Sequence, residues 1–313
     1  MGRKSKKSGK LFIVSSIFLL LISIISLLAY FYFDKEIHKI DKKNGTIIKL
    51  KEEKNVLLTS KKEELSKIDV NITELYDLET KLFNTKKKYY GTIKELEDQI
   101  ISGKNDKKIA YLTFDDGPYY NTYKVLDILD KYGVSATFFT TTINGENCYD
   151  KKDTNCLVLY KEYVKRGHTI ANHTFTHAIW RGLYKSADSF IEAVINQENQ
   201  VKKYADGYKT NIVRFPGGSS TAGKLKTSII EKLREKGYGW VDWSAQDGDG
   251  GSLKSTEEAW NNLKSSINQD IEVILFHDYS SITTEILPEA IEYLDSKGYV
   301  MLPLFYESNV INK

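Results

Sequence analysis

The sequence has little of what would place it in several common protein classes. Of its 313 residues only Cys148 and Cys156 are cysteines, and they lack the further partners of a cysteine zinc site. They form a disulfide if the compartment is oxidising and are free thiols otherwise. The 45 basic and 42 acidic residues are too balanced to favour a nucleic-acid partner. Neither a glycine-rich nucleotide loop nor an internal repeat is found.

The first 33 residues indicate a single membrane anchor. Residues 1–10 are basic with no acid, and residues 11–33 contain no charged residue. At about 1.5 Å per residue, such a run is long enough to cross a bilayer core of about 30 Å. It ends on aromatic residues suited to the membrane interface, and no signal-peptide cleavage site is evident. Positive charge before the span predicts a cytoplasmic amino terminus and an extracellular remainder.

Residues 34–106 predict a helical stalk. The segment is charged, proline-free and composed mostly of helix-forming residues. Apolar residues recur at heptad spacing between Leu65 and Ile100, which favours a coiled coil or a helical hairpin. A solitary charged helix is the alternative, and dimerisation through the stalk stays open.

From residue 107 to residue 313 the pattern changes to short β-rich runs that alternate with amphipathic helical stretches. About seven such runs occur, beginning with residues 109–114 and ending with residues 299–303. This alternation predicts an α/β fold with a parallel sheet wrapped by helices. About seven strands favour an irregular, closed or nearly closed barrel over an open doubly wound sheet.

Two adjacent carboxylates, Asp115 and Asp116, follow the first predicted strand and precede the turn-forming pair Gly117 and Pro118. The carboxyl end of a strand is where α/β folds place their chemistry. Two carboxylates this close cannot both ionise cheaply unless a cation lies beside them. Because all four residues also favour plain turns, they do not by themselves distinguish a site from a turn.

Two histidines, His173 and His177, follow another predicted strand. Imidazoles four residues apart can bind one metal from a single helical turn, although exposed helices supply many such pairs by chance. With Asp116 they give two histidines and one carboxylate, and positions are left open for water and substrate. That ligand set is expected of a catalytic metal.

Three further predicted strands end in residues whose side chains could take part in catalysis or binding. Arg214 can clamp a carboxylate and hold it ionised. Asp242 and Trp243 offer an acid that could brace an arginine and an aromatic pocket wall. His277 lies in apolar company and is suited to general acid catalysis. Each of these could be an ordinary strand end, but five clusters at five strand ends indicate one active site.

In this order the clusters resemble the motifs of the polysaccharide deacetylase family, carbohydrate esterases of family 4 with the NodB-homology fold. The resemblance covers roughly residues 107–305 and implies a distorted (β/α)7-type barrel that binds a metal, usually zinc and sometimes cobalt or manganese. The roles implied are a general base at Asp115, metal ligands at Asp116, His173 and His177, an orienting arginine at Arg214 braced by Asp242, an oxyanion N–H at Gly217, acetyl-pocket residues at Trp243 and Leu275, and a general acid at His277.

One departure concerns the substrate groove. Many relatives carry a bulky residue, often Tyr, where this chain has Gly217, so the N–H is kept but a side chain is lost. Asp249 resembles an acidic position of some relatives, and its role is left open.

The predicted function is hydrolysis of N-acetyl groups from N-acetylglucosamine of peptidoglycan, because a domain held outside the membrane faces the cell wall. Deacetylation would make the glycan a poorer lysozyme substrate. The motifs fit poly-N-acetylglucosamine, chitin and acetyl xylan equally well. The rival from another class is an inactive, membrane-tethered coiled-coil scaffold, and its expected sign, a lost metal ligand, is not seen.

Overall fold

The structure is a computed structural model, and it describes residues 91–148 and 155–313. The predicted tail (1–10), the predicted anchor (11–33) and most of the predicted stalk lie outside the described residues. Among the described residues, no helix has the length and apolar character needed to cross a bilayer.

The sheet consists of eight strands, and every strand pairing in it is parallel. The strands are β1 Lys108–Asp115, β2 Thr137–Thr140, β3 Thr169–Asn172, β4 Ile212–Val213, β5 Gly239–Trp240, β6 Ala245–Gln246, β7 Ile271–His277 and β8 Tyr299–Met301. Their order is β5-β4-β3-β2-β1-β7-β6, with β8 paired to β1. Among the described residues no pairing joins β5 to β6. The parallel α/β architecture is confirmed, and the barrel is a half-barrel open between those two strands.

Helices cover the sheet. They are α1 (residues 91–101), α2 Thr122–Tyr132, α3 Thr142–Asn147, α4 Leu159–Lys165, α5 Ala187–Tyr204, α6 Lys226–Glu235, α7 Thr256–Ser266 and α8 Ser281–Ser296. Helices α5, α7 and α8 are capped at their amino ends by Ser186, Ser255 and Ser280, and in each case the serine oxygen accepts a hydrogen bond from the backbone N–H three residues later. Such caps satisfy an N–H group that the helix leaves unpaired.

The register of β1 and β7 decides what faces the inside of the half-barrel. Asp115 pairs with His277 along these strands. Since side chains alternate along a strand, these two point to one face and Phe114 and Phe276 to the other. The two phenylalanine rings stack there at 5.5 Å, among the apolar residues that the helices cover. One face of β1 therefore builds the core while the other carries the chemistry.

The end of the predicted stalk segment packs on the globular domain. In α1, Ile93, Glu97 and Ile100 are buried. The Glu97 carboxylate accepts a hydrogen bond of 2.9 Å from the Asn309 N–H. The compact unit begins at Thr92, whereas the sequence predicted a boundary at residue 107.

Two strands differ from their prediction for local reasons. The strand that the sequence predicts before Asp242 and Trp243, over residues 239–243, is shorter in the structure: β5 ends at Trp240, and a separate strand, β6, pairs with β7. The last strand ends at Met301, before Pro303, which has no N–H to donate to a neighbouring strand.

Candidate active site

The predicted site residues meet at the carboxyl ends of the strands, and two of them occupy unusual backbone conformations. Asp116 has φ 73° and His177 has φ 51°. Only five described residues other than glycine have positive φ. Left-handed conformations are costly for such residues and cluster at functional sites, where the surroundings hold them in place.

Asp116, His173 and His177 present one ligand atom each to a common point. Asp116 Oδ1 lies 3.5 Å from His173 Nε2 and 3.4 Å from His177 Nε2. Ligand atoms about 2.1 Å from a tetrahedral ion lie about 3.4 Å from one another, so the spacing fits a small divalent cation. Asp116 Oδ1 is buried and has no hydrogen-bond partner among the described residues. A buried carboxylate oxygen without a donor is costly, and a cation would satisfy it.

The protonation of His173 suits a metal ligand. Its Nδ1 lies 2.9 Å from the carbonyl oxygen of Arg214. Because a carbonyl oxygen can only accept, Nδ1 carries the proton and Nε2 is left with a lone pair towards Asp116. Burial, and next the charge of His177, lower the pKa of His173 to about 3. The ring is therefore neutral at physiological pH, as a ligand must be.

Asp115 is held by an arginine that has no exposed surface. Arg214 Nη1 donates to Asp115 Oδ1 at 2.9 Å and to Thr113 Oγ1 at 2.7 Å. Asp115 Oδ2 is left 3.6 Å from His173 Nε2, so it faces the metal triad. Burial raises the pKa of Asp115, and the Arg214 charge opposes that rise. A carboxylate with one fixed oxygen, one oxygen towards the triad and a raised pKa is equipped to accept a proton.

The bracing of Arg214 comes from a different atom than predicted. Arg214 Nη2 donates to the backbone carbonyl of Asp242 at 3.1 Å, while the Asp242 carboxylate accepts hydrogen bonds from the N–H and hydroxyl of Ser219. Trp243 lies with its ring centroid 5.8 Å from the Arg214 guanidinium. Leu275 is buried on β7, two residues before His277, and points to the same face of the strand.

Asp249, whose role the sequence left open, holds His277. Its Oδ1 lies 2.6 Å from His277 Nδ1, and its Oδ2 accepts from the His277 N–H at 2.7 Å. Burial lowers the pKa of His277, but the hydrogen bond and charge of Asp249 outweigh burial and raise it to about 9. His277 Nε2 lies 3.9 Å from Asp116 Oδ2. At neutral pH the structure thus supplies a protonated imidazole beside the triad.

Two glycines border the site closely. A Cβ on Gly250 would lie 2.8 Å from the His277 ring, so any side chain there would displace the imidazole. A Cβ on Gly217, which has φ 73°, would lie 2.9 Å from Thr221 Oγ1 and 3.3 Å from Ile179 Cδ1. No acceptor for the Gly217 N–H is found among the described residues. That N–H is free to bind an oxyanion.

Cys148 and Cys156 are joined as a disulfide, and their Cα atoms lie 5.3 Å apart. Such a separation is ordinary for a disulfide. Both residues are buried in the core cluster, and the bond closes the segment 149–154, which lies outside the described residues.

Comparison with known proteins agrees with the geometry. The sequence profile of the polysaccharide deacetylases matches residues 102–238. A Bacillus cereus protein named peptidoglycan-N-acetylglucosamine deacetylase is 32% identical over 203 residues, covering 62% of this chain and 85% of that protein. A Bacillus subtilis peptidoglycan-N-acetylmuramic acid deacetylase is 29% identical over 216 residues, covering 68% of this chain and 76% of that protein. The catalytic domain of a Eubacterium rectale peptidoglycan N-acetylglucosamine deacetylase superposes with a TM-score of 0.59 and 31% identity, covering 67% of this chain and 94% of that structure.

Proposed function

Because the chain belongs to the polysaccharide deacetylase family, we propose that it removes N-acetyl groups from N-acetylglucosamine units of peptidoglycan in a metal-dependent hydrolysis. The observation that carries the proposal is the arrangement around Asp116. An Asp-His-His triad faces a carboxylate held by Arg214 on one side and an imidazole held by Asp249 on the other. A metal ligand set, a base and an acid therefore converge on one point.

Asp116, His173 and His177 would hold the metal ion, and zinc is the ion that we propose. Two imidazole nitrogens and one carboxylate oxygen are a ligand set that zinc favours in catalytic sites, with a position open to substrate. When bound, such an ion would polarise the acetyl carbonyl and lower the pKa of a water molecule.

Asp115 is the proton acceptor in the proposed reaction. Arg214 fixes Oδ1, which leaves Oδ2 to take the proton of the attacking water. The raised pKa of Asp115 brings its proton affinity closer to what a general base needs near neutral pH. The Gly217 N–H would donate to the oxyanion that forms on the acetyl carbonyl.

His277 is the proton donor. With a pKa of about 9 it is protonated at pH 7, and Asp249 keeps its Nδ1 occupied so that Nε2 faces the triad. Nε2 can then pass its proton to the amine nitrogen as the amide bond breaks, and the glycan is left with a free amino group.

The proposed peptidoglycan substrate depends on a proposed location of the catalytic domain at the outer surface of the cell. The predicted anchor at residues 11–33 would hold the catalytic domain outside the membrane, next to the cell wall. Two of the relatives described above are named for deacetylation of peptidoglycan N-acetylglucosamine.

The test is acetyl release from three polymers. We expect the full-length protein to produce free amines from purified peptidoglycan in preference to chitin oligomers, and to release little acetate from acetyl xylan. A chelator should abolish release and zinc should restore it. Asp115→Asn should bind metal and lose turnover, while Asp206→Asn, at an exposed surface pair with Lys161, should behave as wild type.

Three results would contradict the proposal. Acetyl release that a chelator does not inhibit would show that the reaction needs no metal. A fully active Asp115→Asn protein would show that Asp115 is not the general base. Sugar analysis that finds muramic acid with a free amine, and glucosamine still acetylated, would move the substrate to the neighbouring sugar.

A further inference from the structure

Trp180 is the most exposed large apolar side chain among the described residues, at 92% of its surface. The other exposed large apolar side chains are those of Ile101, Val158 and Tyr279. Single exposed apolar side chains are common, so exposure alone assigns no role. What distinguishes Trp180 is the place in the molecule where it is presented.

Trp180 lies in a turn between two parts of the active site. The turn, Ile179–Arg181, begins two residues after the proposed ligand His177, and the Ile179 N–H donates to the His177 carbonyl at 2.9 Å. On its other side, Ile179 Cδ1 approaches Gly217 to within 3.3 Å of the position a Cβ would take. The indole is therefore carried by a segment that is hydrogen-bonded to the backbone of His177 and lies next to Gly217.

This segment is fixed at both ends. The N–H groups of Arg181 and Leu183 both donate to the Ala178 carbonyl, at 3.0 and 3.2 Å. Leu183 is buried, and the Tyr184 hydroxyl donates to the Pro216 carbonyl at 2.8 Å. A ligand that contacts Trp180 therefore meets a backbone that is already ordered, and binding need not supply the entropy of ordering it.

A second exposed aromatic ring, that of Tyr279, lies beside the proposed acid His277. Tyr279 is 40% exposed and follows His277 by two residues, with ring centroids 5.2 Å apart. His177 follows β3 and His277 ends β7, and these strands lie on opposite sides of β1 in the sheet. The segments that carry Trp180 and Tyr279 thus follow strands on opposite sides of β1, the strand that leads into Asp116.

We propose that Trp180 is a glycan-binding residue whose indole face packs against a pyranose ring of the polymer beside the sugar being deacetylated. A pyranose presents C–H groups with a slight positive charge on one face, and these are attracted to the negative face of an aromatic ring. The hydroxyl groups at the edge of the sugar stay in water. This inference rests on the proposed function and adds a binding site for a sugar that does not react.

The test measures binding without turnover. Full-length protein carrying Asp115→Asn is titrated by calorimetry, in the presence of zinc, with a soluble pentamer of N-acetylglucosamine. Adding Trp180→Ala should weaken pentamer binding about three- to tenfold, the range that one aromatic contact supplies. Trp180→Phe should retain most of the affinity. Val158→Ala, which truncates another exposed apolar side chain, should leave affinity unchanged.

A second readout separates sugar binding from support of the fold. In the active protein, Trp180→Ala should raise KM for the pentamer and leave the hydrolysis of 4-nitrophenyl acetate, which has no sugar, unchanged. Equal pentamer affinity with and without the indole would overturn the inference. So would an equal loss on both substrates, because that would show a structural role. If the wild type releases no acetyl groups, the proposed function fails, and the affinity comparison still decides the role of Trp180.

Discussion

Asp115 and Asp116 are neighbours in the chain with different surroundings. Asp115 ends β1 and shares Oδ1 with Arg214, whereas Asp116 turns into a left-handed conformation and directs Oδ1 towards two histidines. Arg214 holds the carboxylate of Asp115, so Asp115 can accept a proton. The carboxylate of Asp116 faces His173 and His177, so Asp116 can bind a cation with them. The change of backbone conformation between them is what aims both into one cleft.

The contact between Asp249 and His277 predicts a specific pH dependence. A general acid must be protonated, so turnover should fall as pH rises through the His277 pKa of about 9. Asp249→Asn removes the charge that raises this pKa, so the alkaline fall should begin at lower pH. Turnover measured from pH 5 to 10 checks this.

The matched control for that pH profile is Asp242→Asn. Its carboxylate bonds Ser219 and not His277, so the midpoint of the alkaline fall should stay in place whatever happens to the rate. An alkaline midpoint that Asp249→Asn leaves unmoved would show that His277 is not the acid.

Asp278 supports the turn that carries Asp116. It is fully buried, and its Oδ2 accepts a hydrogen bond of 2.6 Å from Thr122 and lies against Gly117, where a Cβ would clash. Burial raises the pKa of Asp278 to about 7. Asp278→Asn has nearly the same shape and should keep stability. Asp278→Ala leaves the hydroxyl hydrogen of Thr122 without its acceptor, although the hydroxyl oxygen still accepts from the Tyr119 N–H, and should cost about 1–3 kcal/mol.

Urea unfolding of the two Asp278 variants measures that difference. The control is Asp270→Ala, which removes an exposed surface pair with Lys108 and should cost less than about 1 kcal/mol. Equal stability of the Asn and Ala variants would show that the buried carboxyl group does not support the turn.

The sequence predicted which residues stand at the strand ends, but it did not predict the contact between Asp249 and His277. Asp115 and Asp116 stand at the end of an apolar run long enough to predict a strand. Asp249 follows β6, a strand of two residues that exists because β7 lies beside it. The local sequence contains no signal for such a short strand, so the pairing of Asp249 with His277 could not be inferred from it.

At the level of elements, α1 shows that heptad spacing alone does not identify what a helix packs against. Ile93 and Ile100 fit a coiled-coil seam, yet both are buried within the unit that begins at Thr92. An apolar stripe at helical spacing packs as well on a globular domain as on a second helix. The sequence pattern predicted the helix and left its partner undetermined. The heptads before residue 91 stay a prediction.

Glu97 of α1 should make stability depend on pH. Burial raises its pKa, against the opposing hydrogen bonds of Asn309 and Ser308. The folded protein then binds more protons than the unfolded chain. Glu97 therefore contributes to the free energy of unfolding at pH values below its pKa in the unfolded chain, and this stabilisation is lost as pH rises through its pKa in the folded protein. Glu97→Gln keeps an acceptor for the Asn309 N–H and removes the charge. The Tm of this variant should therefore rise relative to that of the wild type between pH 4 and pH 8.

Thermal unfolding of wild type and Glu97→Gln at several pH values measures this effect. Each kcal/mol corresponds to about 2–4 °C in a domain of this size. Glu95→Gln, at an exposed position of the same helix, serves as control and should show no such trend. A Tm difference that is the same at every pH would refute the role given to Glu97.

For the whole molecule, the anchor proposed from the sequence at residues 11–33 implies where the protein should be found. The full-length chain should remain in the membrane fraction after high-salt washing and dissolve only in detergent, because an apolar span is held by the hydrophobic effect and not by charge. A chain lacking residues 1–33 should be recovered in the soluble fraction with its activity on soluble oligomers retained. Recovery of the full-length protein in the soluble fraction would exclude the anchor.

Among the described strands, β1 alone pairs with three others, β2, β7 and β8. Its amide hydrogens should therefore exchange with solvent only through global opening, more slowly than those of the edge strands β5 and β6. Asp115 and Asp116 are attached to this slowest-exchanging segment. Heat should thus inactivate the enzyme at the temperature at which the whole domain opens, and hydrogen-exchange mass spectrometry compared with residual activity would show whether the two losses coincide.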